Sequence, residues 1–235
     1  MKKDAANINV LIACEESQRV CIAFRERGFN AFSCDIQQCS GEHPEWHIWG
    51  DCIPYLKGNC NFYTENGDYH FIEKWDLIIA HPPCTYLTIT GNAWFSVEKY
   101  GEKARKRKEL RKEAYEFFMK FVTEPICKHI AIENPVGYMN THFCKPDCII
   151  QPYYFGDDAK KKTCLWLTGL PALVPTDIIT PTTVKTGHGT DSPWHAYTWS
   201  LPPKERSKAR SKTFPGIAKA MAKQWGDYLL EEGDE

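Results

Sequence analysis

An α/β fold, with a mostly parallel sheet and helices on both faces, follows from three features of this 235-residue chain. Apolar runs of strand length alternate with stretches of helical spacing along the sequence. The clearest run, Asp76-Leu77-Ile78-Ile79-Ala80-His81-Pro82-Pro83-Cys84, is short, continuous and bounded by breakers, as buried parallel strands are. Its two prolines have no N–H to continue a ladder, so the strand stops and presents a single cysteine. A second run, Ile130-Ala131-Ile132, delivers Glu133-Asn134-Pro135 to what the alternation predicts is the same edge of the sheet.

The elements follow in order. Asn9 to Ala13 is a first strand, and Ser17 to Arg27 has helical spacing that ends at Gly28. Asn30 to Cys34 is a second strand, ending at Asp35. The region from Gln37 to Trp75 reads as irregular, aromatic and rich in Asn, Gly and His, with a short strand before Gly50-Asp51. After the Asp76 strand come a loop, a long helix from about Glu102 to Thr123, and the Ile130 strand. Cys148 to Gln151 and Thr163 to Leu167 are later strands. Pro171 to Pro203 is rich in Pro, Thr and Gly and reads as loop or a small insert. A closing helix runs from about Pro215 to Leu230. The whole chain, 1–235, is expected to form one domain, with 169–203 as its small insert.

Composition narrows the function classes. Hydrophobic content is 43%, but no apolar run reaches the length needed to cross a bilayer, so no membrane association is expected. The start, Met1-Lys2-Lys3-Asp4, is basic and no apolar signal core follows it. Eleven cysteines without such a signal point to reduced thiols and a cytoplasmic location, in a bacterial or phage-infected cell. A net charge of -1 carries no global nucleic-acid signature, so evidence for nucleic acid must come from local patches. No obligate protein partner is inferred.

A nucleophile and a carboxylic acid on two strand ends form a chemical constellation, and the motifs around them occur in a telling order. Leu11-Ile12-Ala13-Cys14-Glu15-Glu16-Ser17 follows the first strand, Asp35-Ile36 the second, and Gly50-Asp51-Cys52 the third. Pro82-Pro83-Cys84 with Thr88 four positions on, Glu133-Asn134-Pro135, and Phe155-Gly156 through Thr163 complete the series. Over nearly its whole length this series resembles the DNA cytosine-5 methyltransferase family, in a short, phage-type form. The resemblance implies a Rossmann-like S-adenosylmethionine-dependent methyltransferase fold. It implies S-adenosylmethionine as cofactor, held by Ala13, Cys14, Glu16, Ser17, Asp35, Ile36, Asp51 and Cys52 with Pro82 nearby. Within that set Asp35 would take the ribose hydroxyls, Ile36 would lie against the adenine, and Asp51 would accept from the adenine amino group. Cys84 would be the nucleophile and Glu133 the acid. Pro83, Thr88, Asn134 and the lysines Lys160, Lys161 and Lys162 would border a cytosine flipped out of DNA or already unpaired.

The residue types suit that chemistry. Carbon 5 of cytosine is a poor nucleophile until a thiolate adds to carbon 6, the part assigned to Cys84. Glu133 would donate to ring nitrogen 3 as charge builds on the ring, which requires a carboxyl able to hold or share a proton. Lys161 would contact the base carbonyl oxygen, and Lys160 and Lys162 would contact phosphates. The base must leave the duplex to be reached in this way. The chain also departs from the family's pattern. Cys14, Glu16 and Ser17 replace glycines of the first turn, which changes how closely the backbone can approach a cofactor. Thr85 follows the cysteine in place of glutamine. Ala159-Lys160-Lys161-Lys162-Thr163 carries lysines where arginines are expected, and lysine cannot make a forked contact. The insert is too short for a full target-recognition domain.

Bland readings stand beside these. Strand-end cysteines are mostly small buried residues, and Asp35 and Asp51 are also ordinary turn formers. Lys103 to Lys112, with Arg105 and Arg107, is either a solvated helix face or a phosphate-contacting surface, and Glu102, Glu109 and Glu113 dilute it. Lys204 to Lys212, with Arg206 and Arg210, is a second basic stretch with less dilution. Trp194, His195, Tyr197 and Trp199 either stack on bases or pack the insert onto the sheet. Cys39, His43, His47 and Cys52 have spacings compatible with zinc, but there is no Cys-x-x-Cys pair, and no metal is expected. Pro83-Cys84-Thr85-Tyr86-Leu87 lacks the second cysteine that a zinc-dependent cytosine deaminase needs. Two alternatives remain beside cytosine methylation in DNA. One is the same scaffold acting on a nucleotide, on RNA or with a modified sulfonium. The other is a non-catalytic DNA-binding protein.

Overall fold

The computed structural model describes residues 3–187 and 189–232. Met1 and Lys2 of the basic start, and position 188 of the insert, lie outside the described residues. Seven strands form the central sheet: β1 Asn9–Ala13, β2 Asn30–Asp35, β3 His47–Trp49, β4 Leu77–Ala80, β5 Ile130–Pro135, β6 Cys148–Ile150 and β7 Thr163–Thr168. Their spatial order is β3-β2-β1-β4-β5-β7-β6. The first five run parallel, and β7 lies antiparallel to both β5 and β6. The helices are α1 Arg19–Arg25, α2 Val97–Tyr100, α3 Glu102–Thr123, α4 Met139–His142, α5 Pro193–Ser200, α6 Pro203–Ser211 and α7 Pro215–Glu231.

Continuous apolar strands need cover on both faces, and the burial pattern shows it. On one face Val10, Ile12, Ala31, Leu77 and Ile79 pack with Val20 and Phe24 of α1 and with Ile217, Met221 and Trp225 of α7. On the other, Leu11, Ala13, Phe32, Ile78 and Ile132 pack with Phe118 and Phe121 of α3. The period of two along each strand sorts these residues between the two cores. Helix α1 ends where Gly28 takes the left-handed backbone, at φ 84°. Arg27 then ties α1 to α7 through the Lys223 carbonyl at 2.9 Å and an ion pair with Asp227. Among the described residues, no helix is long and apolar enough to cross a membrane.

The segment read as irregular and the one read as loop or small insert both hold regular structure. Cys60–Tyr63 and Tyr69–Ile72 form an antiparallel hairpin, whose Phe62 stacks on Trp75 and meets Phe32 edge-on. The excursion between β7 and α7 holds a second hairpin, Val184–Thr186 with Gly189–Asp191, then α5 and α6. It therefore continues past Pro203 to Ser211 before the chain rejoins the sheet.

Candidate active site

The strand order reverses between β1 and β4, so the ends of these two strands flank the crevice where open α/β sheets place their ligands. The turn after β1 supplies Cys14 to Gln18, and the segment after β4 supplies His81 to Cys84. They are joined directly, because the His81 N–H donates to the Ala13 carbonyl at 2.9 Å. On the far side of β4, Ala80 pairs in register with Ile132, which brings Glu133 to the same edge.

Three contacts hold the Cys84 segment. Buried Asn134 donates from Nδ2 to the Pro82 carbonyl at 2.9 Å, which couples the Pro-Pro turn to the end of β5. The N–H groups of Leu87 and Thr88 close a turn on the Cys84 carbonyl at 2.9 and 3.0 Å. Thr88 bridges Gly137, where an added Cβ would lie 2.0 Å from the Leu87 carbonyl oxygen, so only glycine permits this approach. Behind the loop, Arg111 of α3 donates to the Tyr86 carbonyl at 2.9 Å and to Asn92 at 2.6 Å. Arg107 lies over the rings of Tyr86 and Phe95. This arginine of the basic helix face therefore packs the loop, whereas Arg105 is exposed and pairs with Glu102.

The charges around Cys84 oppose one another. The Cys84 side chain is open to solvent at the rim, yet the atoms crowded behind it desolvate a thiolate. That burial and the carboxylate of Glu133 push the thiol up from its ordinary value, while Lys161 draws it down. Burial also pushes the Glu133 carboxyl up. The hydrogen bond from His81, then the charges of Lys161 and His81, outweigh burial and leave it below the ordinary carboxylate range. Glu133 is thus ionised in the free protein, whereas the expected chemistry asks it for a proton. Lys161 is anchored by its Nζ to the Arg210 carbonyl at 2.9 Å and by its N–H to Gln151 at 3.0 Å. Lys160 and Lys162 are exposed on either side of it.

The crevice beside β1 is acidic and lacks the glycines of a phosphate loop. Cys14 and Gln18 adopt left-handed backbone at φ 61° and 56°, a strained state for residues with a Cβ. Glu15 is buried and accepts from the Val20 and Cys21 amides at 2.8 and 3.1 Å, capping the first turn of α1. Glu16 is also buried. One of its carboxylate oxygens accepts from Ser40, and the other, Oε1, has no partner. Ser17 is buried alongside. The Cys14 and Cys52 sulfurs lie 3.8 Å apart, and the Cys52 thiol together with burial holds Cys14 well above its ordinary value.

At the end of β2, burial raises Asp35, whose Oδ1 accepts from the Gln37 N–H at 2.9 Å. Asp51 is exposed and accepts from the Ile53 N–H at 3.0 Å. Both aspartates thus form turns. Ile36 and Trp49 are 75% and 57% exposed beside Asp35 and leave an apolar shelf at this edge. In the insert, Arg206 and Arg210 lie over the Trp199 ring at 4.7 and 4.8 Å. Trp194 packs edge-on to Phe214 and His195 pairs with Asp191, so among these four aromatics Tyr197 is the most open.

Sequence reasoning missed His81, Glu15 and Trp49. His81 lies inside the strand-end segment itself, and its position three residues before Cys84 was the available signal. His47, one of the residues with zinc-like spacing, has both ring nitrogens engaged, with Ser33 and the Gln37 carbonyl, each at 2.9 Å. Among the described residues no group of three or more His, Cys, Asp or Glu side chains gathers into a metal-binding arrangement. A cleft of about 920 Å³ opens at the opposite, amino-terminal edge of the sheet, lined by Trp75, Asp76 and His129 and remote from Cys84. Comparison with protein-family models and with curated proteins gives no match to this chain.

Proposed function

We propose that this chain is an S-adenosylmethionine-dependent methyltransferase of the Rossmann-like type that methylates carbon 5 of cytosine in DNA through a covalent adduct on Cys84. The observation that carries the reading is the pair of a solvent-open cysteine and a largely enclosed carboxylate. They stand on neighbouring parallel strands at the reversal of strand order, and each is subject to the charge of Lys161.

The crevice suits the cofactor. The first-turn amides of α1, where a nucleotide's phosphates would dock, are already taken by the Glu15 carboxylate. That favours a donor without phosphate groups. Glu16, with one buried oxygen lacking a partner, adds negative charge facing a cationic sulfur. Asp35 offers its second carboxylate oxygen to ribose hydroxyls, and Ile36 and Trp49 offer apolar faces to an adenine. Bound there, S-adenosylmethionine would supply a methyl group on positively charged sulfur.

The protein's own part is acid–base and nucleophilic. The Cys84 sulfur adds to carbon 6 of the base, and Glu133 serves ring nitrogen 3. Lys161 stabilises negative charge on both groups and on the base oxygen. Asn134 keeps Cys84 and Glu133 in register rather than touching the base. The short insert favours an unpaired or readily flipped cytosine over a long recognised sequence. Incubating the protein with S-adenosylmethionine and DNA, followed by mass spectrometry of the nucleosides, should yield 5-methylcytosine. Cys84→Ser should yield none, and DNA containing 5-fluorocytosine should trap the wild-type protein covalently. Absence of methylated nucleoside with wild type overturns the reading.

A further inference from the structure

Glu133 is ionised at rest, so the proton that ring nitrogen 3 takes has to be stored beside it. His81 Nδ1 lies 3.1 Å from Glu133 Oε2, and the two side chains are 7% and 14% exposed. The residue is held from both neighbouring strands, by this ring contact on the β5 side and by its backbone N–H on the Ala13 carbonyl of β1. The other ring nitrogen, Nε2, is buried without a partner. A buried polar atom left in this way is destabilising, which a residue that merely fills space would avoid. The groups facing the imidazole are Glu133 from β5 and Glu15 from the turn after β1, whose carboxyl burial raises while His81 draws it part of the way back down. Lys161, from the segment before β7, bears on Glu133 and on Cys84 beyond it.

We propose that His81 and Glu133 form the acid pair of this site, with His81 storing the proton that Glu133 passes to the base. The proposal rests on the methyltransferase reading above. In the forward step the Nδ1–H bond breaks and an O–H bond forms on Glu133. The Cys84 sulfur's electron pair then forms the bond to carbon 6. The ring electrons move through carbons 5 and 4 onto nitrogen 3, which takes the proton from Glu133. Once carbon 5 carries the methyl group, its C–H bond breaks, that electron pair restores the 5,6 double bond as sulfur leaves with its bonding pair, and the carbon-5 proton passes to water. Nitrogen 3 returns its own proton to Glu133 and Glu133 returns it to His81, so the stored proton is not consumed. His81 is therefore a positioning residue that acts through Glu133 and does not touch the substrate.

His81→Asn keeps an N–H that can reach Glu133 but holds no titratable proton. With saturating DNA and S-adenosylmethionine, it should lower kcat by about 10²-fold, the usual scale of one acid–base contribution. Binding of both ligands should stay within about twofold of wild type, since His81 touches neither. Wild type should show a fall of kcat as pH rises, and the variant should lack it. A variant that keeps the wild-type rate, or that is slow but retains the alkaline fall, overturns the proton-storing role. If the variant fails to fold, NMR of the wild-type protein with ¹⁵N-labelled histidine decides. Protons resident on both ring nitrogens of His81 at neutral pH are expected, and a ring carrying a single proton overturns the pair. An inactive wild type overturns the methyltransferase reading itself, whereas an active wild type indifferent to His81→Asn overturns this inference alone.

Discussion

At Cys84 the fraction of thiolate is set by two neighbours of opposite sign. Burial and Glu133 hold the thiol above its ordinary value of 9.0, and Lys161 pulls the other way. The thiolate is the reactive form, so alkylation of Cys84 should quicken as pH rises towards the thiol's pKa. Replacing Lys161 by Gln removes the cation and should slow that alkylation at neutral pH. Replacing Glu133 by Gln removes the carboxylate and should quicken it. Well below its pKa, a thiol whose pKa falls by about 1 carries about ten times more thiolate. Iodoacetamide labelling followed by mass spectrometry of the Cys84 peptide separates this thiol from the other ten. Equal rates in the two variants would show that these charges do not reach the sulfur. The pairing of Cys84 with Glu133 was legible in the sequence because each residue sits at the end of an apolar strand. The state of Glu133 was not legible, because it depends on a histidine whose distance only the folded sheet sets.

Among the elements, the strongest periodic signals gave the closest bounds. Helix α3 spans Glu102–Thr123 as its spacing predicts. Strands β4 and β5 fall on their apolar runs. The hairpin at Cys60–Tyr63 and Tyr69–Ile72 went unread, although Asn66-Gly67 between its strands is a turn signal. Its alternation is masked by aromatic residues on the exposed side, with Tyr63, Tyr69 and Phe71 all open to solvent. The reversed direction of β7 has no local signature, since Thr163 to Trp166 are buried whichever way the strand runs.

The loop that carries Cys84 depends on contacts between elements, and Gly137 is its tightest point. Gly137→Ala would place a Cβ against the Leu87 carbonyl and break the bridge to Thr88. The loop must then move away from β5, because backbone on both sides leaves no flexible side chain to yield. Such a clash costs about 1–3 kcal/mol and should lower the thermal midpoint. Methyl transfer should fall more steeply than stability, because Cys84 is displaced from Glu133 while the β1 crevice stays intact. Unchanged transfer in a folded Gly137→Ala protein would show that the loop tolerates the shift.

Across the whole molecule a net charge of -1 conceals an uneven distribution. Exposed Lys103, Lys106 and Lys108 lie on α3, which packs through Arg107 and Arg111 against the loop bearing Cys84. Exposed Lys204 and Lys208 lie on α6, whose Arg210 carbonyl holds Lys161. Exposed lysines therefore lie on two independent elements that contact the residues around Cys84, and under the proposed function they would hold a polyanion there without reading its sequence. Affinity for DNA should fall steeply as salt rises, because each neutralised phosphate releases condensed counterions. Replacing Lys103, Lys106 and Lys108 together by Gln should flatten the plot of log affinity against log salt. For each phosphate no longer neutralised, the slope should shrink by about 0.9 on duplex DNA and about 0.7 on single strands. The same replacement should weaken binding equally on unrelated sequences, since phosphate contacts carry no base information. Titrating fluorescent oligonucleotides of several sequences at graded salt measures both effects. An unchanged slope would remove α3 from the interface, and a weakening confined to one sequence would mean that the lysines read bases.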